Sequence, residues 1–323
     1  MCDRTCRWRI SQDAARLKLV TDPDLELNDV ERLASAHAGT RGPSANFGCA
    51  DGPLFPSYVP LSASETATAR RCFANRTVWF LGNSVSREWF YVFHSMLRDG
   101  RKHRASRLSP DEVQRQKQQC GQGGAYGGRR PDTGGTVQAP GTSRDCWGVC
   151  ACSVELNGGS EVNFGWIYHW ASARVGELLS GNGSAARQKR PDVVVYNVGL
   201  PRMVCAPCMR DLVPLEHGAQ QFQLMVNRAL VANPTLHFYW RTTTRICYND
   251  STYAQANQEI QKINDVLSSS VCTSNPLVRR LDAFKWTAPD LCWAYDDGMH
   301  HSALVFHHVT AFIRRECGME DSK

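Results

Sequence analysis

The chain has 323 residues, of which 42% are hydrophobic and 21% charged, with a formal net charge of +6. This supplies one sizeable core and forces no second one. The modest charge argues against a polyanion-binding protein, and no apolar run reaches the length of a membrane span.

Residues 1–71 are polar and interrupted by Pro43, Pro53, Pro56 and Pro60. They read as an irregular extension packed on the core and pinned by Cys2, Cys6 and Cys49, with Cys72 just beyond. The opening Met1-Cys2-Asp3-Arg4-Thr5-Cys6 lacks the apolar centre of a signal peptide.

The first strong element is Thr77-Val78-Trp79-Phe80-Leu81, a β-branched and aromatic run with the pattern of a buried strand. After Gly82 the spacing turns helical, with Val85, Trp89, Val92, Phe93 and Met96 recurring at three and four residues. Ser84 therefore stands where a strand becomes a helix. A hydroxyl there reaches the carboxyl edge of a sheet, and backbone N–H groups at a helix start face a developing oxyanion. Serine is also a routine helix cap, so this position alone does not define a nucleophile.

Residues 98–146 are rich in Arg, Gln and Gly and too poor in apolar residues to fold alone, which predicts a flexible insertion. Its cluster Arg101-Lys102-His103-Arg104, with Arg107, reads as a solvated face, because no aromatic residues interleave for base stacking. The glycines at 121–128 follow no strand and lack the Lys-Ser/Thr ending of a phosphate cradle. No nucleic-acid partner is expected.

Downstream, strands and helices alternate. Val193 to Tyr196, Leu236 to Trp240 and Leu277 to Phe284 read as strands, and Phe222 to Val231 and Ile260 to Leu267 as helices. This predicts an α/β fold of three layers, with a mainly parallel central sheet between helices. Trp166, Tyr168 and Trp170 alternate on a further strand. With Trp286 and Trp293 they could pack in the core or stack on sugar faces.

Near the end stands Asp297-Gly298-Met299-His300, followed by a helix containing Ala303 to Phe306, Val309, Phe312 and Ile313. A carboxylate three residues before a histidine can accept from the ring N–H. That fixes the tautomer and leaves the other nitrogen as a base, the help a serine hydroxyl needs at neutral pH. Ser84, Asp297 and His300 together make a candidate triad.

Fourteen cysteines and three acceptor patterns for N-linked glycans, at Asn75, Asn182 and Asn249, point to the secretory pathway, in the Golgi or ER lumen or outside the cell. Any leader or anchor is expected to lie outside this chain. Cys146, Cys150 and Cys152 cluster, and Cys205 and Cys208 have a zinc-knuckle gap. The other cysteines are scattered and no ligand-spaced histidine accompanies either cluster, so disulfides are expected and no metal.

Gly82-Asn83-Ser84 with Arg87, and the late Asp297-Gly298-Met299-His300, resemble the SGNH/GDSL superfamily of serine esterases and acyltransferases. The likeness is nearest to the PC-esterase group of plant polysaccharide O-acetyltransferases and sialate O-acetyltransferase. It runs over about residues 72–317, through Asp192 to Gly199, Phe238 to Thr244 and Arg280 to Phe284. The resemblance implies an SGNH-like catalytic domain over 72–323, with Ser84 as nucleophile, His300 as base and Asp297 as its orienter. Oxyanion donors would be the Ser84 backbone N–H with Asn197 or Gly165, and Asn83, Arg87 and Arg241 would support the site or contact substrate. The family usually has Asp where this chain has Asn83, a residue that can still cap the turn.

The function expected from this resemblance is O-acyl transfer, of acetyl first, to or from carbohydrate hydroxyls through an acyl-serine. Alternatives are an esterase of the same fold and a catalytically decayed glycan-binding protein. No cofactor is expected beyond an acyl donor, either an acetyl ester or an acetyl group derived from acetyl-CoA. A separate membrane protein could deliver that group. Sequence leaves the oligomeric state open.

Overall fold

A computed structural model describes residues 50–54, 60–99, 151–156, 158–167, 173–180, 190–198, 214–247, 251–287 and 301–319. Its strands are β1 (Ala50–Leu54), β2 (Thr77–Gly82), β3 (Ala151–Leu156), β4 (Ser160–Trp166), β5 (Val193–Tyr196), β6 (His237–Arg241) and β7 (Arg279–Leu281). The helices are α1 (Ala63–Cys72), α2 (Ser84–Asp99), α3 (Ala173–Ser180), α4 (Leu215–Ala232), α5 (Ser251–Ser274), α6 (Ala283–Trp286) and α7 (Ser302–Glu316). The strands form one sheet in the order β1-β7-β6-β5-β2-β4-β3, with every neighbouring pair parallel except the β3/β4 hairpin.

Strand β2 is buried along its whole length because helices cover both faces of the sheet, which is why it reads as an unbroken apolar run. The two-residue period of a strand divides its side chains between two cores. Val78 and Phe80 join Val162, Phe164, Val193, Val195 and Tyr239 beneath α2 and α7, where Trp89, Phe93, Val309 and Phe312 pack. Trp79 and Leu81 join Val194, Tyr196, Phe238 and Trp240 on the other face, under α3, α4 and α5, where Leu179, Phe222, Val226, Ile263 and Leu267 pack. Each fully buried side chain of this size contributes about 1.5–3 kcal/mol. The three-layer α/β architecture expected from sequence is thus the observed one.

Two staples close the end of the sheet where β2 begins. A disulfide joins Cys72 at the end of α1 to Cys317 just after α7, and Cys247 and Cys272 are also disulfide-bonded. Beside it the Glu316 side chain, fully buried, accepts from His237 Nδ1 (2.7 Å) and Tyr239 Oη (2.6 Å) and pairs with Arg76 (2.6 Å) and Arg279 (3.3 Å). Burial alone would raise the Glu316 pKa, but His237, Tyr239 and Arg76 outweigh it and the carboxyl is held below its ordinary value.

Two sequence expectations need correction. The segment 1–71 is not wholly irregular, since residues 50–54 add an edge strand beside β7 and Ala63–Cys72 form α1. Pro53 fits an edge, where a missing N–H breaks no ladder. Helix α1 is set by a capping box, in which Ser62 Oγ accepts from the Glu65 N–H (3.2 Å) and Glu65 Oε2 accepts from the Ser62 N–H (2.7 Å). The strand expected over Leu277 to Phe284 shrinks to Arg279–Leu281, and Phe284 lies in the one-turn helix α6. Tyr168, Trp170, Trp293 and the insertion at 100–146 lie outside the described residues. Among the described residues no helix is long and apolar enough to cross a membrane.

Candidate active site

Because β2, β4, β5, β6 and β7 are parallel, they all end at one edge. Strand β2 has β4 on one side and β5 on the other, so the chain's lateral direction reverses beside β2. In open α/β sheets such a reversal marks the usual ligand position, at the carboxyl ends of the strands. The turn leaving β2 is Gly82-Asn83-Ser84.

Each residue of this turn has a distinct reason to be there. Gly82 lies so close to its neighbours that a Cβ would come within 2.1 Å of Ser86 Oγ and 2.9 Å of the Asn197 carbonyl oxygen. Asn83 is the helix cap: its buried Oδ1 accepts from the Val85 N–H at 3.0 Å, and its backbone carbonyl accepts from the Arg87 N–H at 3.0 Å. Capping therefore falls to Asn83 and not to Ser84. Ser84 is the first residue of α2 and half-buried, in the positive field of the helix start.

Arg241, the last residue of β6, has no exposed surface and donates from Nη2 to Ser86 Oγ at 2.9 Å. Its guanidinium carbon lies 5.4 Å from the Trp89 ring centroid. Burial lowers the Arg241 pKa to about 9 and the Glu88 carboxylate opposes that fall, so the group stays cationic at neutral pH.

Asn197 follows β5 directly. Its side-chain Nδ2 donates to the Arg241 carbonyl (2.8 Å) and to Thr243 Oγ1 (3.2 Å), while its backbone N–H donates to the Leu81 carbonyl (2.8 Å). Both amide hydrogens are engaged within the protein. In this geometry Asn197 ties β2, β5 and β6 together and presents no side-chain donor to an oxyanion. Gly165 is within β4, opposite Leu81, and a Cβ there would meet Leu81 Cδ2 at 2.7 Å. Packing alone accounts for its being glycine. Arg87 is half-buried and continues the first turn of α2.

Asp297 and His300 lie outside the described residues. The next residue, His301, is the N-cap of α7 and fully buried. Helix α7 packs on α2, with His308 6.1 Å and Phe312 6.3 Å from Trp89 between ring centroids. His308 also lies 5.8 Å from His301 and 4.8 Å from Trp286. Burial, then the nearby His301, His307 and Arg241, hold its pKa well below the ordinary histidine value. His308 is neutral.

Comparison with protein-family models, with curated proteins and with solved structures finds no match for this chain.

Sequence reasoning missed the frame around the turn. Ser86 carries no motif signal, and its bond to Arg241 spans 155 positions. Asn264 on α5 clamps Thr243 from both sides, accepting from its N–H (2.8 Å) and donating to its carbonyl (2.9 Å). Asn257 does the same to Ile246, at 2.8 Å in each direction. These asparagines are seven residues apart on one helix face and substitute for a strand partner along the extended segment after β6. That spacing is the signal that could have revealed them. Among the described residues no cluster of His, Cys, Asp and Glu is arranged to hold a metal ion.

Proposed function

We propose that this protein is a serine O-acyltransferase of the SGNH/GDSL kind, PC-esterase-like in its motifs, moving an acetyl-sized group onto carbohydrate hydroxyls. The observation that carries the reading is the packing of two helices. Helix α2 begins at Ser84 at the carboxyl edge of the sheet and lies against α7, which begins two residues after His300.

In the first half-reaction His300, oriented by Asp297, takes the Ser84 hydroxyl proton as Oγ bonds to the acyl carbon of the donor ester. Backbone N–H groups at the start of α2 stabilise the oxyanion. Collapse breaks the bond to the donor alkoxide, which leaves with the proton from His300. In the second half an acceptor hydroxyl gives its proton to His300 and attacks the acyl-serine carbonyl, and Ser84 regains a proton as it departs. Asn83, Arg241 and Asn197 hold the turn in place, and Arg87, on the first turn of α2, is assigned to substrate contact or support.

The compartment consistent with this reading is the secretory lumen or the exterior. Four disulfide-bonded cysteines among the described residues favour an oxidising environment. The donor is an activated acetyl ester, with delivery by a separate membrane protein as one route.

Incubation with such a donor, with and without polysaccharide acceptors, tests the reading. Acetyl appearing on the glycan, with free acetate suppressed as acceptor rises, is the expected result. Acetate release indifferent to every acceptor would make the protein an esterase. Absence of any acyl-enzyme would make it a glycan-binding protein on an inactive fold.

A further inference from the structure

We infer that Asn75 carries an N-linked glycan, added before β2 enters the sheet. This rests on the secretory-compartment reading and not on the acyl-transfer mechanism.

Asn75-Arg76-Thr77 meets the acceptor pattern, with the hydroxyl two residues on and no proline between. Such patterns are common by chance, and the surroundings of this one give it weight. Asn75 is exposed, in the turn between α1 and β2, with a left-handed φ of 59° that Asn adopts more readily than most residues. Its N–H is held by the Gly158 carbonyl at 3.0 Å, and its side chain lies against Gly159, where a Cβ would come within 2.7 Å of Asn75 Oδ1. The turn is fixed while the residue stays exposed. Three residues away Cys72 is bonded to Cys317, so the same end of the sheet carries the oxidising-compartment signature.

Position also makes a glycan here compatible with catalysis. Asn75 precedes β2 and Ser84 follows it, and the six residues of the strand at ~3.3 Å each separate the two by about 20 Å. A glycan at Asn75 leaves the carboxyl edge of the sheet open.

The order of events follows from Thr77. It is 3% exposed, its N–H donates to Asp192 Oδ2 at 2.6 Å, and it pairs within the sheet. Once β2 is embedded, no enzyme can read that hydroxyl. Transfer therefore precedes folding of this strand. The Asn75 amide nitrogen bonds to the anomeric carbon of a sugar carried on a polyprenyl diphosphate. The bond from that carbon to the diphosphate oxygen breaks, the lipid diphosphate leaves, and the amide gives up one proton to base.

The test is peptide mass spectrometry on the full chain purified from the cells that make it, after glycan release by an amidase in heavy-oxygen water. Isotope-marked aspartate at position 75 is expected, with loss of one oligosaccharide's mass in Asn75→Gly, which suits the left-handed turn, and in Thr77→Val, which keeps the strand's shape. Only unmodified Asn75 in that peptide would overturn the site. Folded, unglycosylated protein accepting the glycan at position 75 from microsomal membranes would overturn the order of events. Neither result bears on serine labelling, which reads the acyl-transfer mechanism separately.

Discussion

Arg241 at the end of β6 donates a 2.9 Å hydrogen bond to Ser86 on the first turn of α2, so a buried cation braces the helix start two residues from the candidate nucleophile. The same arginine's carbonyl is held by Asn197 from the neighbouring strand. The brace and the sheet are therefore one hydrogen-bonded unit.

Replacing Arg241 by Met tests the brace on both stability and function. Removing the buried cation alone leaves Ser86 without this donor and the Glu88 carboxylate without the Arg241 charge, so a stability loss of about 1–3 kcal/mol is expected beside any effect on rate. The turn also loosens. Acylation of Ser84 should slow by roughly tenfold or more, equivalent to ~1.4 kcal/mol of barrier, with apparent substrate affinity nearly unchanged. Denaturant midpoints and single-turnover rates report the two effects.

Gly82→Ala attacks the turn from the other side. The added Cβ would lie 2.1 Å from Ser86 Oγ, which can move, and 2.9 Å from the Asn197 backbone oxygen, which cannot move cheaply. A loss of about 1–3 kcal/mol in urea unfolding is expected, together with a fall in acylation rate.

Acid stability should depend on Glu316 and Glu65. Both have folded pKa values below the unfolded one, so each stabilises the fold above the unfolded value and loses that contribution as pH falls through the folded one. For Glu65, bonded to Arg314, the folded value is about 2 against 4.5. Melting temperature should therefore decline as pH falls from about 4.5 towards 2. Glu316→Gln should lower stability at neutral pH and flatten this acid limb, because Arg76 and Arg279 lose their carboxylate at every pH. Thermal unfolding across that pH range checks both.

The Cys72 and Cys317 pair joins positions 245 residues apart, and its double replacement by Ala should cost about 2–4 kcal/mol by releasing the unfolded chain. Activity at low temperature should survive, since the bridge is at the opposite edge from Ser84. Calorimetry against residual activity makes the comparison.

Periodic features were legible in the sequence. The unbroken apolar run of β2 and the three-and-four spacing of Val85, Trp89, Val92, Phe93 and Met96 announce a doubly covered strand and a half-buried helix, and all five of these residues are buried. Strand β7 was overextended because Leu277 and Phe284 look alike as apolar residues. Leu277 is 58% exposed in a turn, and Phe284 belongs to a helix whose first N–H groups need Asp282 and Thr242. The pairing of Ser86, Asn197 and Arg241 left no trace, since these residues meet across the fold at spacings that only tertiary structure sets. Asn197 is a candidate oxyanion donor by the family resemblance alone, and its place in the sequence gives no sign of the two acceptors that take its amide hydrogens.

The most direct measurement is labelling of the folded protein with a fluorophosphonate, with the modified peptide identified by mass spectrometry in the parent, Ser84→Ala and His300→Ala. The account predicts a single adduct on Ser84, absent in Ser84→Ala and formed at least a hundredfold more slowly in His300→Ala, as expected when a serine loses its base. No adduct on the folded parent, or equal acyl turnover by Ser84→Ala, would contradict it.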